Sequence, residues 1–316
     1  MTVSLPAVST AGLWFTSRWI PERPRRGVGV GSMIRFGSTI TINSIVIYIA
    51  YNADKILIGK LWGPAALGIY GRAYQLSNIP TDNLNGAVGG VAMAALSRVQ
   101  DEPIRFKRYF LKTYSLVVAL TLPLTIACAL YASEMIDVIL GSKWHAAAPL
   151  FRLLAPTILS FAMLNPLGWV LIAGGHATSS LKMALCIAPV VVIGYLAGAP
   201  FGVEGVALGY SIGMALLVVP MIKWAIAGTA IGLRDVFDAA RPAMVSAAIA
   251  ATLSYSSVLW FGSQTPIVRL VLGGTVLTAM YLVMLLYGMG QKSFYVGLLR
   301  DSRQADAARQ GVATAI

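Results

Sequence analysis

Apolar stretches long enough to cross a membrane follow one another along the chain, with short polar breaks between them. A hydrocarbon core of about 30 Å takes about 20 helical residues per crossing. Eight stretches meet that measure: residues 32–58, 65–96, 110–132, 146–173, 179–199, 203–227, 239–261 and 265–287. The second and fourth exceed it, so tilts or kinks are expected there. The short alternating strands of a membrane β-barrel are not in the pattern. The pattern predicts an all-α, polytopic helical membrane protein. Prolines 80, 123, 156, 166, 189 and 220 interrupt the stretches. In lipid such breaks stand where neighbouring helices satisfy the freed carbonyls. They suit a transporter that bends and also a tightly packed bundle.

One stretch breaks the apolar rule. Arg72, Gln75, Asn78, Asp82 and Asn85 succeed one another by steps of three and four, which places them on one side of a helix. A charge near mid-membrane costs at least about 2.5–3.5 kcal/mol, so this face should meet a partner helix or water rather than lipid. Two readings fit. The stripe is either a packing network, with Arg72 snorkelling to the outer surface, or the wall of a hydrophilic path. In the second case the amides would match sugar hydroxyls and Arg72 a phosphate oxygen. A second polar group, Asn52, Asp54 and Lys55, closes the first stretch. It is either an outer anchor, with Asp54 and Lys55 neutralising each other, or a gate or ion-coupling site. Arg152 reads as a further snorkelling residue, and Asn165 as a partner for backbone freed by Pro166.

Composition agrees with the pattern. Hydrophobic residues make up 57% of the 316 residues and charged ones 11%, and mean hydropathy is +0.74. The net charge of +12 could suggest nucleic acid, but no nucleic-acid-binding motif appears. The basic residues sort by side instead. With a cytoplasmic N-terminus, 18 of the 24 lysines and arginines fall inside and 4 outside, while Arg72 and Arg152 lie within stretches. The positive-inside rule then puts both termini in the cytoplasm. The outer connections are short: Gly/Pro turns near residues 59–68 and 199–205, and residues 133–149, which suggest an interfacial helix with Trp144 at headgroup level. The first 19 residues lack a basic leader and contain Pro6, so they make a poor signal peptide. They read as the end of a helix.

Chemistry is sparse. Cys128 and Cys186 lie in apolar runs without metal-site spacing, as small core residues do. His145 and His176 fall in connections on opposite sides. No set of side chains converges for catalysis or metal binding, and no Walker-type loop appears. No cofactor is called for, and no soluble domain could house an active site. A polymerase or ligase would need a large outer loop, and the longest here is short.

The segment NADKILIG at residues 52–59, with LGIY at 67–70 and NIP at 78–80, resembles the Wzx-type polysaccharide flippases of the multidrug/oligosaccharidyl-lipid/polysaccharide exporter superfamily. Residues 17–37 look like the basic connection between the halves of such proteins. The resemblance implies two six-helix bundles around a cavity, often with two further helices. It implies flipping of undecaprenyl-pyrophosphate-linked oligosaccharide across the bacterial inner membrane by alternating access. On that reading residues 1–31 are a helix remnant and connection. Residues 32–228 are the second bundle, residues 229–290 the two further helices, and residues 291–316 a cytoplasmic tail. Arg72–Asn85 would line the cavity. A missing N-terminal half, or a second copy of the chain, would complete it. Membrane lipid and other polysaccharide-assembly proteins would be further partners. Alternatives are a small-cation or drug exporter of the same superfamily, or an inactive truncated fragment.

Overall fold

A computed structural model of the chain describes residues 4–17, 30–173, 177–260, 265–295 and 297. His176 and the tail beyond residue 297 lie outside the described residues. The chain divides into two compact units, Met1–Ser38 and Thr39–Ile316. The first holds α1, Ser4–Ser17, in which Pro6 sits in the opening turn, where a missing N–H is harmless. It also holds the start of α2, Gly31–Ala50. Among the described residues no strand is present.

In the second unit α2 ends at a turn, Tyr51–Asn52, and α3, Ala53–Arg98, follows at once. The expected span 32–58 is therefore two helices meeting at a bend. The Asn52 side-chain amide donates to Tyr48 O at 2.7 Å, satisfying one of the carbonyls that a helix end leaves free. α3 itself turns a corner at Gly63, whose φ of +81° suits a residue without Cβ, and Pro64 begins the next turn. The expected outer connection at 59–68 thus shrinks to one residue. Beyond the corner the chain folds back, so that Tyr70 reaches Asp54.

Next come α4, Pro103–Leu130, α5, Ala132–Ile139, and a 3-10 turn, Ser142–Ala147. They lead to α6, Ala148–Ala173, α7, Ala177–Gly198, and α8, Gly202–Ile226. The last two long helices are α9, Leu233–Trp260, and α10, Pro266–Val283. Among the described residues six apolar stretches are long enough to cross a membrane, and two of them, Met33–Arg98 and Ser179–Ile226, each contain two helices. The eight expected spans thus correspond to α2, α3, α4 and α6–α10.

α6 is the centre, packed against α3, α4 and α8, with Phe151, Leu154, Ile158 and Leu167 wholly or almost wholly buried. α7 lies on α8 at backbone contact. A methyl built on Gly198 would collide with the Gly205 carbonyl, and one on Gly194 would lie 2.6 Å from Gly209 O. Only glycines permit this approach, the small-residue packing typical of helices in lipid.

Polar ties hold α9 and α10 to the bundle. Tyr131 OH is 2.5 Å from Ser254 Oγ, which donates to Gly273 O at 3.1 Å. Tyr131 fills the space where Gly273 has no side chain. Arg269 pairs with buried Glu134 at 2.8 Å, Tyr281 OH donates to Ala119 O at 2.7 Å, and Lys107 pairs with Asp235. The helix expected at the interface, α5, therefore does more than lie on the surface. It buries Ala132, Glu134 and Ile136 and leaves only Val138 and Ile139 exposed.

Candidate functional site

The polar stripe lies on the face of α3 that the bundle leaves open. Arg72, Gln75, Asp82 and Asn85 are exposed and Asn78 is half-buried. One residue away on the helix, Ala73, Tyr74 and Ser77 are buried against the bundle. The two faces come from helical periodicity alone: core positions and stripe positions each recur every three or four residues. Within the stripe, Arg72 Nη1 donates to Gln75 Oε1 at 3.2 Å. Arg72 also sits over the Trp144 ring, 5.4 Å from its centroid. A cation on an indole face is attracted by the ring quadrupole. At its other end the stripe approaches the core. Asn85 lines a water-sized cavity with Thr81, Thr121, Asn165 and Trp169.

The second polar group is not the mutually neutralised pair that adjacency suggests. Asp54 is fully buried. It accepts from Tyr70 OH at 2.6 Å and from the Lys55 backbone N–H at 2.7 Å. Lys55 Nζ does not pair with it. That ammonium donates to Asn52 Oδ1 at 2.6 Å and lies 4.3 Å above the Tyr74 ring. Mutual neutralisation of Asp54 and Lys55 is therefore replaced by two separate arrangements. Neighbouring side chains on a helix do not face each other, so the carboxylate turns inward and the ammonium turns to the bend. Arg152, expected to snorkel, is exposed and caps the end of α4 by donating to Ala129 O at 3.2 Å. His145 Nδ1, in the 3-10 turn, is 2.9 Å from Asp137 Oδ1 of α5. Among the described residues no group of three or more metal-ligating side chains is found.

Three comparisons find proteins similar to this chain. A family model described as "Polysaccharide biosynthesis protein" matches residues 1–149. The lipopolysaccharide biosynthesis protein WzxC of Escherichia coli (strain K12) is 27% identical over 57% of this chain and 37% of its own length. Over its first half, the chain is similar to polysaccharide biosynthesis proteins. The teichuronic acid biosynthesis protein TuaB of Bacillus subtilis (strain 168) is 31% identical over 52% of the chain and 34% of its own length. The chain thus spans little more than a third of these curated relatives. In fold it is similar to the lipid II flippase MurJ in an inward closed conformation. The TM-score is 0.65 at 10% identity, covering 92% of this chain and 61% of that one.

The structure adds residues that spacing did not single out. Tyr51, Tyr74 and Tyr195 all pack on Tyr210, at ring centroid separations of 6.2, 6.3 and 5.3 Å. Tyr70 stacks on Tyr74 at 6.0 Å, and Tyr51 meets Phe161 edge-on at 5.4 Å. This cluster wraps the bend and Asp54. A visible signal was the Tyr70–Tyr74 pair, one turn apart in an otherwise small-residue segment. Replacing Tyr70 with phenylalanine removes one of two donors to a buried carboxylate, a loss of about 1.5–3 kcal/mol. The expected result is a Tm several degrees lower in detergent, while phenylalanine at exposed Tyr109 leaves it unchanged. Equal melting of both variants would mean that the Asp54–Tyr70 bond adds nothing to stability.

Proposed function

We propose that the chain forms one half of a transporter that moves undecaprenyl-pyrophosphate-linked oligosaccharide across the bacterial inner membrane by alternating access, without catalysing a reaction. The observation that carries this reading is the exposed polar stripe of α3 on a membrane helix otherwise clothed in apolar residues. A face with two charges is costly against lipid and suited to a wet cavity shared with a second bundle. Arg72, oriented on Trp144, would meet phosphate oxygens at the outer mouth. Gln75, Asn78, Asp82 and Asn85 would meet sugar hydroxyls further along. Asn52, Asp54 and Lys55 would serve the bend between α2 and α3 as a gate, or couple it to an ion. The domain division proposed is a six-helix bundle to about residue 228, then two further helices.

One labelling experiment tests the wall and the orientation together. Cysteines at Gln75, Asn78, Asp82 and Asn85 should react with a small hydrophilic thiol reagent, and one at Ala73 should not. With an impermeant reagent on intact cells, Gly141 and Gly202 positions should label and Ser302 should not. Equal protection along α3 would favour a packing network. Labelling at Ser302 with none at Gly141 would invert the topology.

A further inference from the structure

The α3–α4 and α8–α9 connections meet the last turn of α6 and the first turn of α7 at one end of the bundle, the end where the basic residues gather. Between them lies a cavity of about 660 Å³, a volume typical of small-molecule sites. Its inner wall is apolar, with Phe106, Val170 and Leu171. Its mouth is polar, with Gln100, Asp101, Ser179, Trp224 and Thr229. Among the described residues that line it, Asp101 carries the one charge. That charge is negative, at an end otherwise dominated by cations. Asp101 is exposed, and no hydrogen bond or ion pair occupies its carboxylate among the described residues. Trp224, in the last turn of α8, is the kind of residue that marks headgroup depth in a bilayer. Just outside the lining, Arg98, Lys182 and Lys223 are exposed. They lie within one helical turn in sequence of Gln100, Ser179 and Trp224.

A cavity with a carboxylate and an indole at its mouth, and with cations just outside its lining, is the complement of a zwitterion. An ammonium is drawn to a carboxylate and to an indole face. A phosphate one ethylene unit away would then reach those cations, and acyl chains would leave along the apolar wall. A purely anionic headgroup would place its phosphate against Asp101. A divalent cation would find one carboxylate where such ions take six or more oxygens. We propose that this cavity binds the headgroup of an aminophospholipid, with the ammonium held by Asp101 and Trp224. The site is separate from the α3 stripe and stands whether or not the transport reading does.

The test is lipid binding to the purified full chain in detergent, followed by native mass spectrometry. The probes are dioleoylphosphatidylethanolamine, its N-acetyl derivative and dioleoylphosphatidylglycerol. The ethanolamine lipid is expected to bind about tenfold more tightly than either of the others, the scale of one hydrogen-bonded charge pair. Asp101→Asn should erase that preference, and Trp224→Leu should reduce it, with Tm unchanged for Asp101→Asn because the residue is exposed. Equal binding of the three lipids, or a preference that survives Asp101→Asn, would overturn the site. Soluble glycerophosphoethanolamine is expected to compete poorly. Competition at the same concentration as the lipid would show that the ligand is a free amine and overturn the lipid assignment.

Discussion

Expressed alone in a bacterium whose own lipid-linked-saccharide flippase has been deleted, these 316 residues are expected to restore no surface polysaccharide. Co-expressed with a matching first bundle, they are expected to restore it. The reason is the open face of α3. Among the described residues of the second unit, no helix covers Arg72, Gln75, Asp82 and Asn85, and all four are exposed. Left against lipid, two charges and two amides cost about several kcal/mol. Alternating access also needs one bundle to rock against another around a shared site, and the described helices supply one bundle. The measurement is polysaccharide at the cell surface, with the protein level confirmed by blot. Full rescue by the single chain would sink the half-transporter reading and favour a self-sufficient homodimer.

Leucine at Gly198 is expected to abolish recovery of folded protein. The side chain would have to enter space held by the Gly205 carbonyl. Backbone cannot swing aside as a flexible side chain does, so α7 and α8 must part. Their contact is among the closest in the fold, with Gly194 and Gly209 also facing across it. Separation leaves a gap along both helices and a cost above ~4 kcal/mol, in the range reached only by gross steric or packing defects. Leucine at Gly68, where nothing lies within 4 Å, is the matched control and should be recovered normally. Size-exclusion profiles of fluorescently tagged variants read the difference. A monodisperse Gly198→Leu protein at normal yield would show that α7 and α8 tolerate separation.

Hydropathy made the eight long helices legible because lipid imposes length and apolarity on every crossing. The stripe was legible because period and polarity are both local properties. The bend at Tyr51–Asn52 was not, since neither residue is a helix breaker. It is held by a side-chain amide on a carbonyl and by rings brought from elsewhere. Asp54 shows the same limit. Its partner Tyr70 is 16 residues away, and the surrounding Tyr195 and Tyr210 come from α7 and α8. The neutralising Lys55 suggested by adjacency turns out to serve Asn52 and Tyr74 instead. Arg72 finds Trp144 in the 3-10 turn before α6, a pairing that only the folded chain creates. Neither the ends of the chain nor His176 are among the described residues, so their expected placement stays with the sequence.

The fit of Tyr131 into the space beside Gly273 has a bearing on assembly. Helices enter a bilayer first and find their neighbours afterwards, and apolar surfaces sliding on one another in lipid discriminate poorly between registers. A slip of α10 by one turn, about 5.4 Å, would offer Tyr131 the side chains of Arg269, Leu270, Val276 or Leu277 in place of the glycine. None leaves room for the ring, and the Ser254 link to the Gly273 carbonyl would be lost at the same time. The glycine thus acts as a notch and the tyrosine as its pin, so that α10 can seat at only one height.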